Sequence, residues 1–391
     1  MSPRLRSPQS APPAKSSARS KKTKATVGAV PPEELKQEFP PIKLPIHPPY
    51  PPMEAHSVAE IPHEEGWLYE PKWDGFRCLA FRRGDQVLLQ SKSGQPLGRY
   101  FPELVEALRR LPVQEFVIDG EITILVDGHL AFDDLLQRIH PAESRIRKLS
   151  VETPGTLMVF DLLVDIEGKP LVNFPLADRR EQLRGFFETI GNNDRVRLSP
   201  ASPDYDDAVE WMSELGAAGL DGIIAKRLDE PYRSGERAGM VKIKRIRTAD
   251  CVVGGFRYAE KGDKIGSLLL GLYNDEGLLD HVGFTSSFAA EEREGLKSIV
   301  EPLTGGRGFT GKAPGGPSRW STRRSSEWQP LETQLVCEVR YDHFSGDRFR
   351  HGTKFLRWRP DKDPKQCTFA QVRGGLKPGA GLKDLFGNRA A

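Results

Sequence analysis

From residue 249 onward the chain consists almost wholly of strand-length runs. Alternating or apolar segments occur at 251–258, 267–274, 278–285, 334–341 and 355–360, with one helical pattern at 289–303. Side chains that alternate between two faces demand a sheet with one face covered. Five such strands beside a single helix predict a small closed barrel, because closure removes the unpaired edges that so short a sheet would expose. Upstream the rhythm is mixed. Strand patterns at 78–82, 87–90, 116–125, 157–164, 222–226 and 240–246 are interrupted by helical patterns at 101–111, 176–189 and 206–215. The spacing is hairpin-like rather than a steady strand–helix–strand repeat, so the expected class is α+β.

A chain of 391 residues is long for one core. The expected division is a basic Pro/Ser/Lys-rich tail over 1–42, a first domain over 43–248, a second over 249–375 and a closing tail over 376–391. The first tail has too few large apolar residues to pack, and disorder is expected there. Residues 1–24 carry seven lysines and arginines and no acid, so the formal charge of +3 becomes about −4 for the remainder. Any polyanion-binding surface on the folded part must then be a local patch. No apolar run approaches the roughly 18 residues of a membrane span, and mean hydropathy is −0.49. A soluble, cytoplasmic chain is expected. Cys78, Cys251, Cys337 and Cys367 lie far apart with no CxxC pair, and the histidines show no HExxH, which argues against a disulfide framework or a structural zinc.

One short stretch carries the densest chemistry: Tyr69-Glu70-Pro71-Lys72-Trp73-Asp74-Gly75-Phe76-Arg77. Read as extended chain, it sets Glu70, Lys72 and Asp74 on one face. Gly75 lets the backbone turn or approach a ligand, and Arg77 offers a fixed cation. A solvated strand end with a salt-bridged lysine fits the same alternation. Three other strands echo the design: Asp119-Gly120-Glu121, Asp221-Gly222-Ile223-Ile224-Ala225-Lys226 and Lys242-Ile243-Lys244. Together they predict one cleft of carboxylates and lysines suited to a nucleotide, with cations for phosphates and carboxylates for ribose hydroxyls and a hard divalent ion. A near-Walker sequence at 306–313 is set aside. Ala313 stands where the loop needs Ser or Thr, and no strand pattern runs into it.

Lys72-Trp73-Asp74-Gly75-Phe76-Arg77 resembles the KxDGxR motif of the covalent nucleotidyltransferases. Asp119-Gly120-Glu121, Val159-Phe160-Asp161, Leu220 to Lys226, Lys242-Ile243-Lys244 and Arg357-Trp358-Arg359-Pro360-Asp361-Lys362 follow in that family's order. Within the family the chain looks most like bacterial ATP-dependent DNA ligases of the ligase C type. Pro52-Met53, Ser91-Lys92-Ser93-Gly94 and Tyr232, Gly235 and Arg237 add to the similarity, which covers residues 50 to 370 or so.

The resemblance implies an adenylation domain of antiparallel sheets with flanking helices, followed by an OB-fold barrel. It implies ATP and Mg2+ or Mn2+ as cofactors, and nicked or broken double-stranded DNA as partner. Lys72 would take up AMP from ATP, pass it to a 5′-phosphate and leave the 3′-hydroxyl to complete the seal. Glu70 would bind the adenine amine, Phe160 stack on the base, Arg77 meet ribose or phosphate, and Glu121 meet ribose. Glu121 and Asp221 are the implied metal ligands, and Lys242 and Lys244 the α-phosphate ligands. Arg359 and Lys362 would arrive by rotation of the second domain to orient the leaving pyrophosphate.

Two positions depart from the family pattern. Lys92 stands where Arg is usual and loses the bidentate fork, and Asp221 is one methylene shorter than the usual Glu. The alternatives are an RNA ligase or an mRNA-capping type enzyme, although capping enzymes usually carry Thr where this chain has Trp73. A bacterial, nucleoid-associated monomer with repair partners in trans is expected. DNA contacts are expected from Arg307, Lys312, Arg319, Arg323 and Arg324, with Trp320 close by, and an ordinary solvated loop fits that segment equally well.

Overall fold

Short apolar strands of the first part stack into two sheets on either side of the stretch around Lys72. In the computed structural model, which describes residues 38–214, 219–259, 264–315 and 327–373, the chain runs β1 (His56–Val58), β2 (Trp67–Pro71), β3 (Phe76–Arg83), β4 (Gln86–Ser91), α1 (Pro102–Arg109), β5 (Glu115–Val126) and β6 (His129–Leu130). It continues through α2 (Phe132–Gln137), α3 (Glu143–Glu152), β7 (Gly155–Val164), α4 (Leu176–Ile190), β8 (Val196–Leu198), α5 (Tyr205–Glu214), β9 (Gly222–Arg227) and β10 (Met240–Lys244). One sheet has the order β4-β3-β5-β7-β8 and the other β1-β10-β9-β2. Pairing is antiparallel except at β7–β8 and β1–β10.

β7 is buried along its whole length, which is why its sequence reads as a continuous apolar run rather than an alternation. α1 starts with Pro102 at its first helical position and buries Leu104 and Leu108, four residues apart, on one core. The helices α2 and α3 were not anticipated. α3 buries only Ile146, so no apolar stripe announces it. A fully enclosed Arg138 holds this region, donating to both oxygens of Glu103 at 2.7 and 2.8 Å and to the carbonyls of Tyr100 and Thr153.

The second part runs β11 (Arg247–Tyr258), β12 (Ile265–Tyr273), β13 (Leu279–Ser287), α6 (Ala290–Val300), β14 (Gln329–Pro330), β15 (Val336–Tyr341), β16 (Phe344–Ser345), β17 (Arg348–Phe349), β18 (Thr353–Trp358) and α7 (Ala370–Arg373). The order β12-β13-β18-β15-β11, with β11 pairing back to β12, closes a five-stranded barrel; only β13–β18 is parallel. This is the expected OB-type barrel. Cys251, Cys337 and Cys367 are free thiols in its core, and Cys78 is buried in the first part.

β10 stops at Lys244, two residues earlier than the pattern implied, although Arg245 N–H still donates to Asp221 O one step beyond it. β11 begins at Arg247, and the described residues show no shared backbone ladder between the two parts. Residues 1–37, 316–326 and 374–391 lie outside the described residues, and with them most of the first tail, the whole closing tail, Arg319, Trp320, Arg323 and Arg324.

Candidate active site

Lys72 is placed by backbone pairing. β2 and β9 are antiparallel with Pro71 opposite Ile223, and the pairing extends one step past the strands: Lys72 N–H donates to Gly222 O at 2.9 Å and Asp221 N–H to Lys72 O at 3.1 Å. Gly222 has φ +145°, and a Cβ there would lie 2.0 Å from Ile243 O, so only glycine lets β9 start this close to β10. The result is an ion pair between Lys72 Nζ and Asp221 Oδ2. Gly75 likewise admits a close approach, although what approaches is the Ile122 carbonyl of β5, 2.2 Å from an added Cβ, not a ligand.

Lys242 and Lys244 share a face of β10, as expected, opposite Ile224 and Gly222. Lys244 Nζ is 3.8 Å from Asp221 Oδ2. Partial burial and then the neighbouring charges of Lys92, Lys72, Lys244 and Arg237 lower the Lys242 pKa, which shows how tightly cations gather here. Lys92 and Arg237 both meet Glu54, at 3.0 and 3.1 Å. Burial opposes ionisation of Asp221, but His343, Lys72 and Lys244 outweigh it and hold its carboxyl well below the usual carboxylate range.

Glu70, on β2, is 2.8 Å from Lys226 Nζ and 3.7 Å from Arg180, and its Oε1 has no hydrogen-bond partner. Phe160, on β7, faces the same space. The Lys226 ammonium lies 4.4 Å from its ring centre and the Arg77 guanidinium 4.5 Å. Arg77 is not free to swing. Asp119 grips it through two bonds of 2.6 Å, and Tyr232 Oη donates to the same carboxylate at 2.7 Å. Glu121 sits opposite Arg77 on β5, where burial outweighs Arg77 and Lys72 and pushes its carboxyl up to about 7.

Arg359 and Lys362 stay within the barrel. Arg359 Nη1 lies 2.9 Å from Asp250 Oδ1 and also pairs with Asp361, and Lys362 Nζ lies 3.6 Å from Asp250 Oδ2. The barrel instead presents a different edge to Lys72. His343 Nε2 is 3.3 Å from Asp221 Oδ1 and 3.5 Å from Asp74 Oδ2, and Arg350 Nη1 is 2.8 Å from Asp74 Oδ2. Sequence reading missed His343, Arg350, Lys226 as a site residue and Asp119 as the Arg77 clamp. Lys226 and Asp119 sat inside quoted motifs, but nothing in the spacing of His343 and Arg350 marks them. Of the two described cations expected to reach DNA, Lys312 is paired with Asp347.

Set beside known proteins, residues 52–244 match the ATP dependent DNA ligase domain and residues 261–362 the ATP dependent DNA ligase C terminal region. DNA ligase C1 of Mycolicibacterium smegmatis is 47% identical over 339 residues, covering 84% of this chain and 95% of that protein. The chain belongs to the ATP-dependent DNA ligases. DNA ligase C of Mycobacterium tuberculosis is 43% identical over 354 residues, 86% of this chain and 97% of that one. A solved structure described as Pmar-Lig_PreS3 has a TM-score of 0.52 at 17% identity, covering 79% of the ligase and 68% of that chain, a likeness of fold alone. The ligase is thus an adenylation domain followed by an OB-type barrel, and it uses ATP on DNA; the RNA-directed alternatives fall away.

Proposed function

We propose that Lys72 is the nucleophile that carries AMP, and that the ligase seals 5′-phosphate/3′-hydroxyl breaks in duplex DNA as part of DNA repair. The carrying observation is the placement of its Nζ against Asp221 with Lys244 at the same carboxylate and Lys242 on the same strand face. In the first step the amine gives up a proton and forms a P–N bond to the α-phosphorus while the bond to pyrophosphate breaks. A 5′-phosphate oxygen then displaces the Lys72 nitrogen, and finally the 3′-hydroxyl displaces AMP. Lys242 and Lys244 stabilise charge on the α-phosphate throughout, the dominant contribution in reactions of this kind.

Adenine stacks on Phe160 with its amine on Glu70 Oε1, which accepts no hydrogen bond within the protein. Arg77, held rigid by Asp119, meets ribose or phosphate. Glu121 meets a ribose hydroxyl, a role open to a carboxyl that titrates near neutrality. Lys92 contacts the substrate phosphate. Asp221 fits Mg2+ or Mn2+: it is a hard oxygen donor, firmly ionised, with His343 Nε2 3.3 Å from its Oδ1. Glu121 fits such an ion less well, because its carboxyl is partly neutral at pH 7. When bound, the ion would neutralise phosphate charge. Arg359 and Lys362 serve pyrophosphate departure after the barrel turns. The whole works as a monomer in the bacterial cytoplasm.

Incubation with radiolabelled ATP and Mg2+ tests this reading. Acid-stable label on the wild-type chain and none on Lys72→Ala is expected; label persisting on the variant would reject it.

A further inference from the structure

His343 and Arg350 face the adenylation site as a unit. Arg350 N–H donates to His343 O at 3.0 Å across the base of the β16–β17 hairpin, whose turn carries Gly346 at φ +58°. Phe344 and Phe349, 5.2 Å apart, anchor the hairpin in the barrel core together with Tyr341 and Phe369. Arg350 is fixed on the far side by Asp74 and by the Phe132 ring, 3.9 Å below its guanidinium. His343 is left 8% exposed, its Nε2 aimed between two carboxylates that come from separate loops of the first part. One of them is the carboxylate that holds Lys72. Its Oδ2 already faces two cations, Lys72 and, at 3.8 Å, Lys244, whereas its Oδ1 is the oxygen that His343 covers.

We propose that His343 is a positioning residue that occupies the Asp221 oxygen a divalent ion would use, so that seating the barrel hairpin and holding the ion on Asp221 exclude one another. This rests on the reading of Lys72 and Asp221 given above. An imidazole nitrogen 3.3 Å from the oxygen stands inside the space that a Mg2+ or Mn2+ ion, with oxygen ligands at about 2.0–2.2 Å, must fill. Arg350 does not compete in this way, because the carboxylate it engages is Asp74 rather than Asp221. His343 therefore links what is bound at Asp221 to where the barrel sits, while Arg350 supplies attraction between the parts regardless of the ion.

The test uses the whole protein and Mn2+ alone, with bound ion followed by electron paramagnetic resonance. His343→Ala is expected to bind Mn2+ more tightly by about tenfold, the worth of one competing contact to a charged group. His343→Gln, which returns an N–H at similar reach, should fall back toward wild type, and Asp221→Asn should remove the site. In step-resolved assays His343→Ala should form lysine-adenylate faster at limiting Mn2+ yet transfer AMP to a nick more slowly. Mn2+ affinity unchanged in His343→Ala, or an equal loss in both steps, would overturn the proposal. If the wild-type chain took no label on Lys72, the reading of the site would fail instead, and the Mn2+ titrations would still decide the competition at Asp221.

Discussion

Arg350 Nη1 lies 2.8 Å from Asp74 Oδ2 across the seam between barrel and adenylation domain, joining residues 276 positions apart. Both side chains are about one-seventh exposed, so the pair is shielded from water and salt more than a surface bridge is. Arg350→Ala should leave Asp74 facing an empty socket and the barrel poorly seated. Nick sealing in single turnover should fall roughly tenfold to a hundredfold, the range that misplacing catalytic groups produces. Labelling of Lys72 by ATP should persist, and parallel labelling and sealing assays measure both.

Glu121 predicts a pH effect with a definite sign. Its carboxyl titrates near 7 in the folded chain against an ordinary value of 4.5, so the folded state holds a proton that the unfolded state has lost. Stability from this group is therefore highest below pH 4.5 and declines as pH rises toward 7, then stays level. Glu121→Gln should remove the decline, raising the melting temperature at pH 8 relative to wild type but not at pH 4.5. Thermal melts across that window check it, with a gain on the order of 1–3 kcal/mol at the alkaline end.

Arg138 has no exposed side-chain surface, and its charge is matched by Glu103. Arg138→Met leaves that carboxylate buried without its partner and should cost roughly 3–5 kcal/mol in denaturant unfolding. Combining it with Glu103→Gln, which can still accept from Gly155 N–H, should recover part of the loss.

Arg340 and Lys354 stand opposite one another on β15 and β18 and are both exposed on the barrel. If duplex DNA lies against this face, replacing both by alanine should flatten the dependence of log binding constant on log salt by about two units, near 0.9 per phosphate contact. Nick binding measured at several salt concentrations would show it, and an unchanged slope would place the DNA elsewhere.

Much of the fold was legible because its signals are local. The barrel strands alternate, β7 is a continuous apolar run, and α1 and α4 carry apolar stripes, so period alone places them. α3 was invisible because one buried isoleucine makes no stripe, and the apolar pattern over 240–246 runs two residues past the end of β10 at Lys244. At the site, Glu70, Lys72, Phe160, Asp221, Lys242 and Lys244 were singled out because the order of short motifs groups them.

The sequence by itself determined which side chains could do nucleotidyl transfer, since charge, reach and hydrogen-bonding capacity belong to residue types. Three-dimensional packing alone decided how they are engaged. Arg77 is clamped by Asp119 across neighbouring strands, Glu121 is driven toward neutrality by the protein around it, and Lys72 meets Asp221 because two strands pair one step beyond their ends. His343 and Arg350 reach the site from a hairpin more than 260 residues beyond Lys72 and Asp74, and no local pattern can specify a contact that exists only when two separately built cores are pressed together.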